Sequence, residues 1–184
     1  MTRIAILGRE RMNAEQGKVY DDVKSEGGPL GGPYWAYIRH PQLMRQLQDT
    51  SNYIGQKGGL SKRERQMAIM AIIRFWGAEY PWAVQTRAAL AMGISQQIID
   101  AINDGGTPVL DDPREKTAYD VAVEMLNTRK LSDVTYARAS ATFSESELVA
   151  LIATVGQFSM TCLTTIGFDC TPPDDVPHRI KPLS

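Results

Sequence analysis

The sequence predicts an all-α chain, and three observations carry that reading. Ser-x-x-Glu pairs head two apolar runs, apolar residues recur at helical spacing through most of the length, and no segment alternates with period two as a half-buried strand does. At 184 residues, 43% hydrophobic and 22% charged, the chain suits a single domain over 1–184 with a sizeable core. Punctuation by Gly, Pro and capping residues divides it into about seven helices, preceded by an N-terminal arm over 1–36 and followed by an extended tail over 170–184.

Within the arm, Val19, Tyr20 and Val23 share one face of a short helix over 14–24. Next comes Gly27-Gly28-Pro29-Leu30-Gly31-Gly32-Pro33, which no regular element tolerates. It lacks the Lys-Ser/Thr pair and the preceding strand of a phosphate loop, so a tight turn laying Tyr34, Trp35 and Tyr37 onto the body is the better reading. Pro41 starts the first main helix, with Leu43, Met44, Leu47 and Ile54 inward and Gly58-Gly59 as its stop. Ser61 and Glu64 form a capping box heading Met67, Ala68, Met70, Ala71, Ile72, Phe75 and Trp76, apolar on most faces and therefore central. With the helix from Tyr80 to Met92, stopped by Gly93, it makes a central antiparallel hairpin from Ser61 to Met92. Ser95, Asp112-Pro113 and Ser132-Asp133 open three more helices, and the capping box Ser144–Glu147 heads a long apolar one reaching about Ile166.

Composition excludes several classes. A net charge of -1 and a pI near 6.1 give no electrostatic reason to expect nucleic acid or an anionic membrane as partner. No run approaches the roughly 20 apolar residues of a membrane span. The opening Ile4-Ala5-Ile6-Leu7 meets Gly8-Arg9-Glu10-Arg11 too soon for a signal peptide. Two cysteines, Cys162 and Cys170, make no disulfide framework, so a cytoplasmic, reducing location is expected. Two histidines, His40 and His178, and no tight acidic cluster fall short of a metal site, and no cofactor is expected.

One segment is more than generic helix. Ser61-Lys-Arg-Glu-Arg, an apolar helix, Ala78-Glu79-Tyr80-Pro81-Trp82-Ala83-Val84-Gln85-Thr86-Arg87-Ala88-Ala89 and then Met92-Gly93-Ile94-Ser95 resemble the carboxymuconolactone decarboxylase and alkylhydroperoxidase D-like superfamily. The resemblance covers residues 38–104 and implies the all-α alkylhydroperoxidase D-like fold, with homo-oligomers, commonly trimers or hexamers, and pockets near subunit interfaces. It also shows where this chain departs. In the register set by Met92–Ser95, the C-x-x-C and histidine of peroxidase members fall at Ala78, Pro81 and Gln85, and the Glu and His of decarboxylase members at Pro81 and Gln85. Without a thiolate and a resolving partner the chain has no dithiol peroxidase chemistry of its own.

The remaining polar and aromatic groups near that segment are the candidates. Glu79 or His40 would serve as general base and Tyr80 as acid or hydrogen-bond donor, with Trp35, Trp82, Gln85 and Arg87 binding substrate. Glu79 lies two positions before the family carboxylate, about 200° around a helix, but Pro81 as a first-turn residue leaves its direction open. Each has a structural alternative: helix-start charge for Glu79, cap for His40, core for Tyr80, surface ion pair for Arg87. The expected function is a cofactor-independent lyase or isomerase acting by proton transfer on a small carboxylated lactone or related ring compound. The alternatives are a non-catalytic small-acid-binding or assembly member and, last, a peroxidase-type protein with thiols from elsewhere. Convergence of Glu79 and His40 on one cavity separates the first from the second.

Overall fold

The computed structural model describes residues 2–174 and 179–182, so His178 and part of the expected tail lie outside the described residues. They hold nine α-helices, a short 3₁₀ turn at Arg9–Arg11 and no strand. The helices are α1 (Ala14–Ser25), α2 (Tyr34–Tyr37), α3 (Pro41–Lys57), α4 (Lys62–Trp76), α5 (Glu79–Ala91), α6 (Gln96–Asn103), α7 (Pro113–Thr128), α8 (Asp133–Thr142) and α9 (Glu145–Gly167). The expected seven are α3 to α9 and α1 is the arm helix. The one α-helix not anticipated is α2, a single turn carrying Tyr34, Trp35, Ala36 and Tyr37.

The central element is α4, with nine of its 15 residues buried, among them Met67, Ala68, Met70, Ile72 and Ile73 at 0% exposure. Its start has the expected box: Ser61 Oγ accepts from the Glu64 amide and the Glu64 carboxylate accepts from the Ser61 amide. It ends at Gly77, whose φ of 65° is the left-handed region open to glycine. The hairpin with α5 follows at once. Pro81, third residue of α5, costs no helical bond there because the first-turn amides have no intrahelical acceptor. Yet α7 and α9 pack on α4 more extensively than α5 does, because α5 leaves Val84 and Leu90 exposed. The core thus joins Leu151, Val155 and Phe158 of α9 and Ala118, Val121 and Ala122 of α7 to α4.

Arm and tail are held to this body. A second cluster, Val19, Val23, Tyr37, Ile38 and Met44, gathers α1 and α2 onto α3. The Arg3 amide donates to the Phe168 carbonyl at 2.8 Å, and the Thr171 amide to Thr2 Oγ1 at 3.0 Å. Near the other end, Asn103 Nδ2 donates to the Arg179 carbonyl and Asn103 Oδ1 accepts from the Lys181 amide. By length and apolar composition alone α9, 23 residues long, has the dimensions of a membrane span, which the expectation from its apolar runs did not allow for. One of its faces, with Leu148, Leu151, Val155, Phe158 and Cys162, is nevertheless part of the core.

Candidate functional site

The site is built around Arg65. On α4, Arg65, Ile69 and Ile72 share one face, and both isoleucines are almost completely buried. That face meets α9 and α5, so the guanidinium enters a cavity of about 190 Å³ between α4, α5, α9 and the glycine-rich turn. Tyr34, Tyr80, Gln85, Gln157, Phe158 and Thr161 line it with Arg65. Arg65 is half-buried and makes no hydrogen bond or ion pair with a described residue; its Nε is buried and unsatisfied. Burial lowers its pKa from the usual guanidinium value, partly offset by nearby Tyr34, but an arginine remains a cation at neutral pH. Gln157 Oε1 is a second buried atom on the same cavity with no partner among the described residues. Such unmet groups cost free energy in an otherwise well-bonded interior.

Two tyrosines complete the polar wall. Burial pushes the Tyr34 phenol up to about 12, and the Tyr80 phenol is also raised, by burial first and by neighbouring Cys170 second. Both are therefore neutral donors at physiological pH. The Tyr80 ring lies edge-on to Trp35, centroids 5.4 Å apart. Its other side rests on the glycine-rich turn, where a Cβ added at Gly31 would sit 2.4 Å from the hydroxyl and one at Gly32 2.2 Å from the ring. Glycine there lets the backbone and the Tyr80 ring meet in van der Waals contact, and Gly32 has φ of 63°.

The predicted site residues divide sharply. Tyr80 and Gln85 line the inner cavity, together with Pro81, so two of the three family positions do border it. The third, Ala78, is fully buried. Trp35 lies on the outer side of Tyr80, in an open groove of about 620 Å³ bounded also by Ile4, Ile6, Pro172 and Asp174. Trp82 is a correction: it is 0% exposed within the core and lines neither space. Glu79 and His40 are corrections as well. Both are exposed, at the starts of α5 and α3, and neither lines either space: the first turn of α5 brings Tyr80 and Pro81 to the cavity and leaves Glu79 on the solvent side, and His40 only precedes a helix. Arg87 lies on the exposed side of α5 and likewise lines neither. Arg65, Tyr34, Gln157 and Thr161 were missed. The available signal for Arg65 was its place one turn before Ile69 on an apolar face.

Chemically, the cavity offers one cation and several neutral donors. None of its lining residues is Asp, Glu or His. Cys162 and Cys170 are buried and unpaired by disulfide, with burial pushing their thiols up to about 12 and about 11. Among the described residues no three His, Cys, Asp or Glu side chains cluster as a metal site would require.

Residues 41–124 match the model of the Carboxymuconolactone decarboxylase family. No curated protein matches the chain in sequence. Among solved structures, an uncharacterized peroxidase-related protein from Silicibacter sp. TM1040 superimposes with TM-score 0.77 at 16% identity, covering 98% of this chain and 96% of that one. An alkylhydroperoxidase AhpD core protein from Ralstonia eutropha JMP134, also peroxidase-related, gives TM-score 0.75 at 13% identity over 95% and 93%. A protein of unknown function from Agrobacterium tumefaciens gives 0.68 at 17% over 76% and 97%. At these identities the likeness is one of fold.

Proposed function

We propose, from the premise that this chain belongs to the carboxymuconolactone decarboxylase/alkylhydroperoxidase D-like superfamily, that its inner cavity binds a small carboxylate through Arg65. The observation that carries this is the unpaired guanidinium in the cavity. A bound carboxylate supplies the missing acceptors in the two-pronged geometry that arginine favours. Tyr34 and Tyr80, neutral donors on the same wall, would complete its shell. The volume of about 190 Å³ suits a ligand near the size of benzoate, since an apolar cavity of about 150 Å³ accepts benzene. Binding of benzoate by calorimetry tests this, with Arg65→Gln expected to weaken it about tenfold or more. Equal affinity in wild type and variant would sink the reading.

Catalysis is the second reading, favoured by the unbonded Tyr80 phenol. A lyase or isomerase that begins by proton abstraction lacks its base here, because Glu79 and His40 stand outside the cavity. Loss of CO2 from a carboxylated lactone needs none: the C–C electron pair passes to an enolate, and Tyr80 O–H protonates the carbon before regaining its proton from water. NMR detection of CO2 release from a panel of carboxylated lactones, lost in Tyr80→Phe, is the check. For assembly, Val149, Met160 and Leu163, 69%, 36% and 50% exposed on one face of α9, would bring copies of the chain together as a trimer or hexamer. Sedimentation of Leu163→Glu, expected as a smaller species than wild type, tests that.

A further inference from the structure

We infer that the inner cavity and the outer groove form one two-compartment site for an elongated monocarboxylic acid, its carboxylate on Arg65 and its apolar body carried past Tyr80 into the groove. The inference rests on the Arg65 reading and adds to it the shape and charge of the ligand. Tyr80 is a wall of both spaces. Its hydroxyl makes no hydrogen bond with a described residue, and its ring is kept in place by the edge contact with Trp35 and by the turn at Gly31 and Gly32. No polar bond has to break for the ring to turn and join the two spaces.

The compartments differ in chemistry. Inside, Arg65 is the one charged residue of the lining. Outside, Ile4, Ala5, Ile6, Trp35, Pro172 and Pro173 give apolar walls, and the one charged lining residue is the acid Asp174. The groove's two threonines, Thr2 and Thr171, bond to each other. A single cation at one end and a single anion at the other accept one carboxylate and repel a second. The groove walls are also tied down rather than loose: the Ala5 carbonyl accepts from Arg39 Nη2 at 2.6 Å, and Thr2 accepts from the Thr171 amide. At about 190 Å³ the inner cavity alone holds only a ring-sized ligand, so a longer acid gains contact only through the groove.

The test is a titration of the full chain with butanoate, hexanoate and octanoate, and with octanedioate as the two-headed control. Heat and tryptophan fluorescence are both followed, Trp35→Phe assigning the optical change. Octanoate is expected to bind at least about tenfold more tightly than butanoate, since each buried methylene adds several-fold, and octanedioate about tenfold less tightly than octanoate. Ile4→Asp, whose fold is checked by its melting temperature, should abolish the advantage of octanoate over butanoate. Equal affinity for all three chain lengths, all lost in Arg65→Gln, overturns the two-compartment site while the carboxylate anchor stands. A length advantage that survives Ile4→Asp also overturns it, because the chain then runs elsewhere. Binding that ignores Arg65→Gln, or no binding of any acid, brings down the anchor and the extended site together.

Discussion

Arg63 and Arg65 stand two residues apart on α4 and meet opposite circumstances. Arg63 clamps Glu115 with Nε at 2.5 Å and Nη2 at 3.1 Å, and donates to the Met92 carbonyl. Between them, Glu64 pairs with Arg114, whose guanidinium also reaches Glu147, the Thr142 carbonyl and the face of Phe143. Glu64 and Glu147 are the acidic members of two capping boxes, so one arginine ties the starts of α4 and α9 to that of α7. Two residues of helix are a rotation of about 200°, which turns Arg65 from this satisfied network to a cavity where no described residue answers its charge. A paired buried charge holds elements in place, whereas an unpaired one carries a desolvation cost that an anionic ligand would offset, which is the basis of the proposed carboxylate site.

The largest effect is expected where the pairing is densest. Arg114→Ala leaves the buried carboxylate of Glu64 with only the Ser61 amide as partner and should cost roughly 1.5–3 kcal/mol, read as a clear drop in chemical-denaturation midpoint. Arg65→Gln breaks no pairing with a described residue and removes a buried unsatisfied cation, so it should be at least as stable as wild type. Its effect lies in ligand binding instead, a loss of about 1.5–3 kcal/mol for a carboxylate. Comparable destabilisation by both variants would erase the contrast and make Arg65 a structural residue.

A smaller effect follows from the neutral interior. Cys162 is raised from 9.0 to about 12, and Tyr34 and Tyr119 from 10.0 to about 12, each chiefly by burial. Raised folded values mean the folded state holds these protons more tightly than the unfolded chain. The associated stability is complete below about pH 9 and is lost as pH climbs toward 12. Melting temperature should therefore fall across that window, and less steeply in Cys162→Ala than in wild type once each curve is referred to its own value at pH 8. A parallel pair of curves would show that this thiol has no part in it. At pH 7.5 neither cysteine should react with iodoacetamide until the protein unfolds, since the nucleophile is the thiolate.

The same contrast explains what the sequence reveals. Helices declare themselves locally: Ser61–Glu64 and Ser144–Glu147 are visible as capping boxes, and Gly77 and Gly93 stand where left-handed turns end α4 and precede α6. The site is a meeting of distant segments. Arg65 and Gln157 are 92 residues apart and touch the same cavity only because α4 and α9 pack together. Gln85 could be placed by register with family members, but Trp82 on the same helix turns into the core, and neighbouring positions gave no sign of which would. Even α2 was hidden, since a single turn of aromatics after a Gly-Pro run has no periodicity to read.

The smallest expected effects belong to the two residues that chemistry alone would have chosen. His40 and Glu79 have the right functional groups for acid–base work, but a general base must lie within hydrogen-bond reach of the proton it takes. Both are exposed and outside the cavity lining, so Glu79→Gln and His40→Ala should change benzoate affinity less than twofold, roughly 0.4 kcal/mol, and stability by no more than about 0.5 kcal/mol. For Glu79 a few tenths of loss is itself expected, because its carboxylate sits in the first turn of α5 and favours the positive end of the helix. That loss should shrink in 1 M salt, which screens an exposed charge, whereas an effect routed through the Arg65 cavity would persist there. A salt-insensitive fall in ligand affinity in Glu79→Gln would mean that this carboxylate reaches the cavity after all, and would return the proton-transfer enzyme to first place.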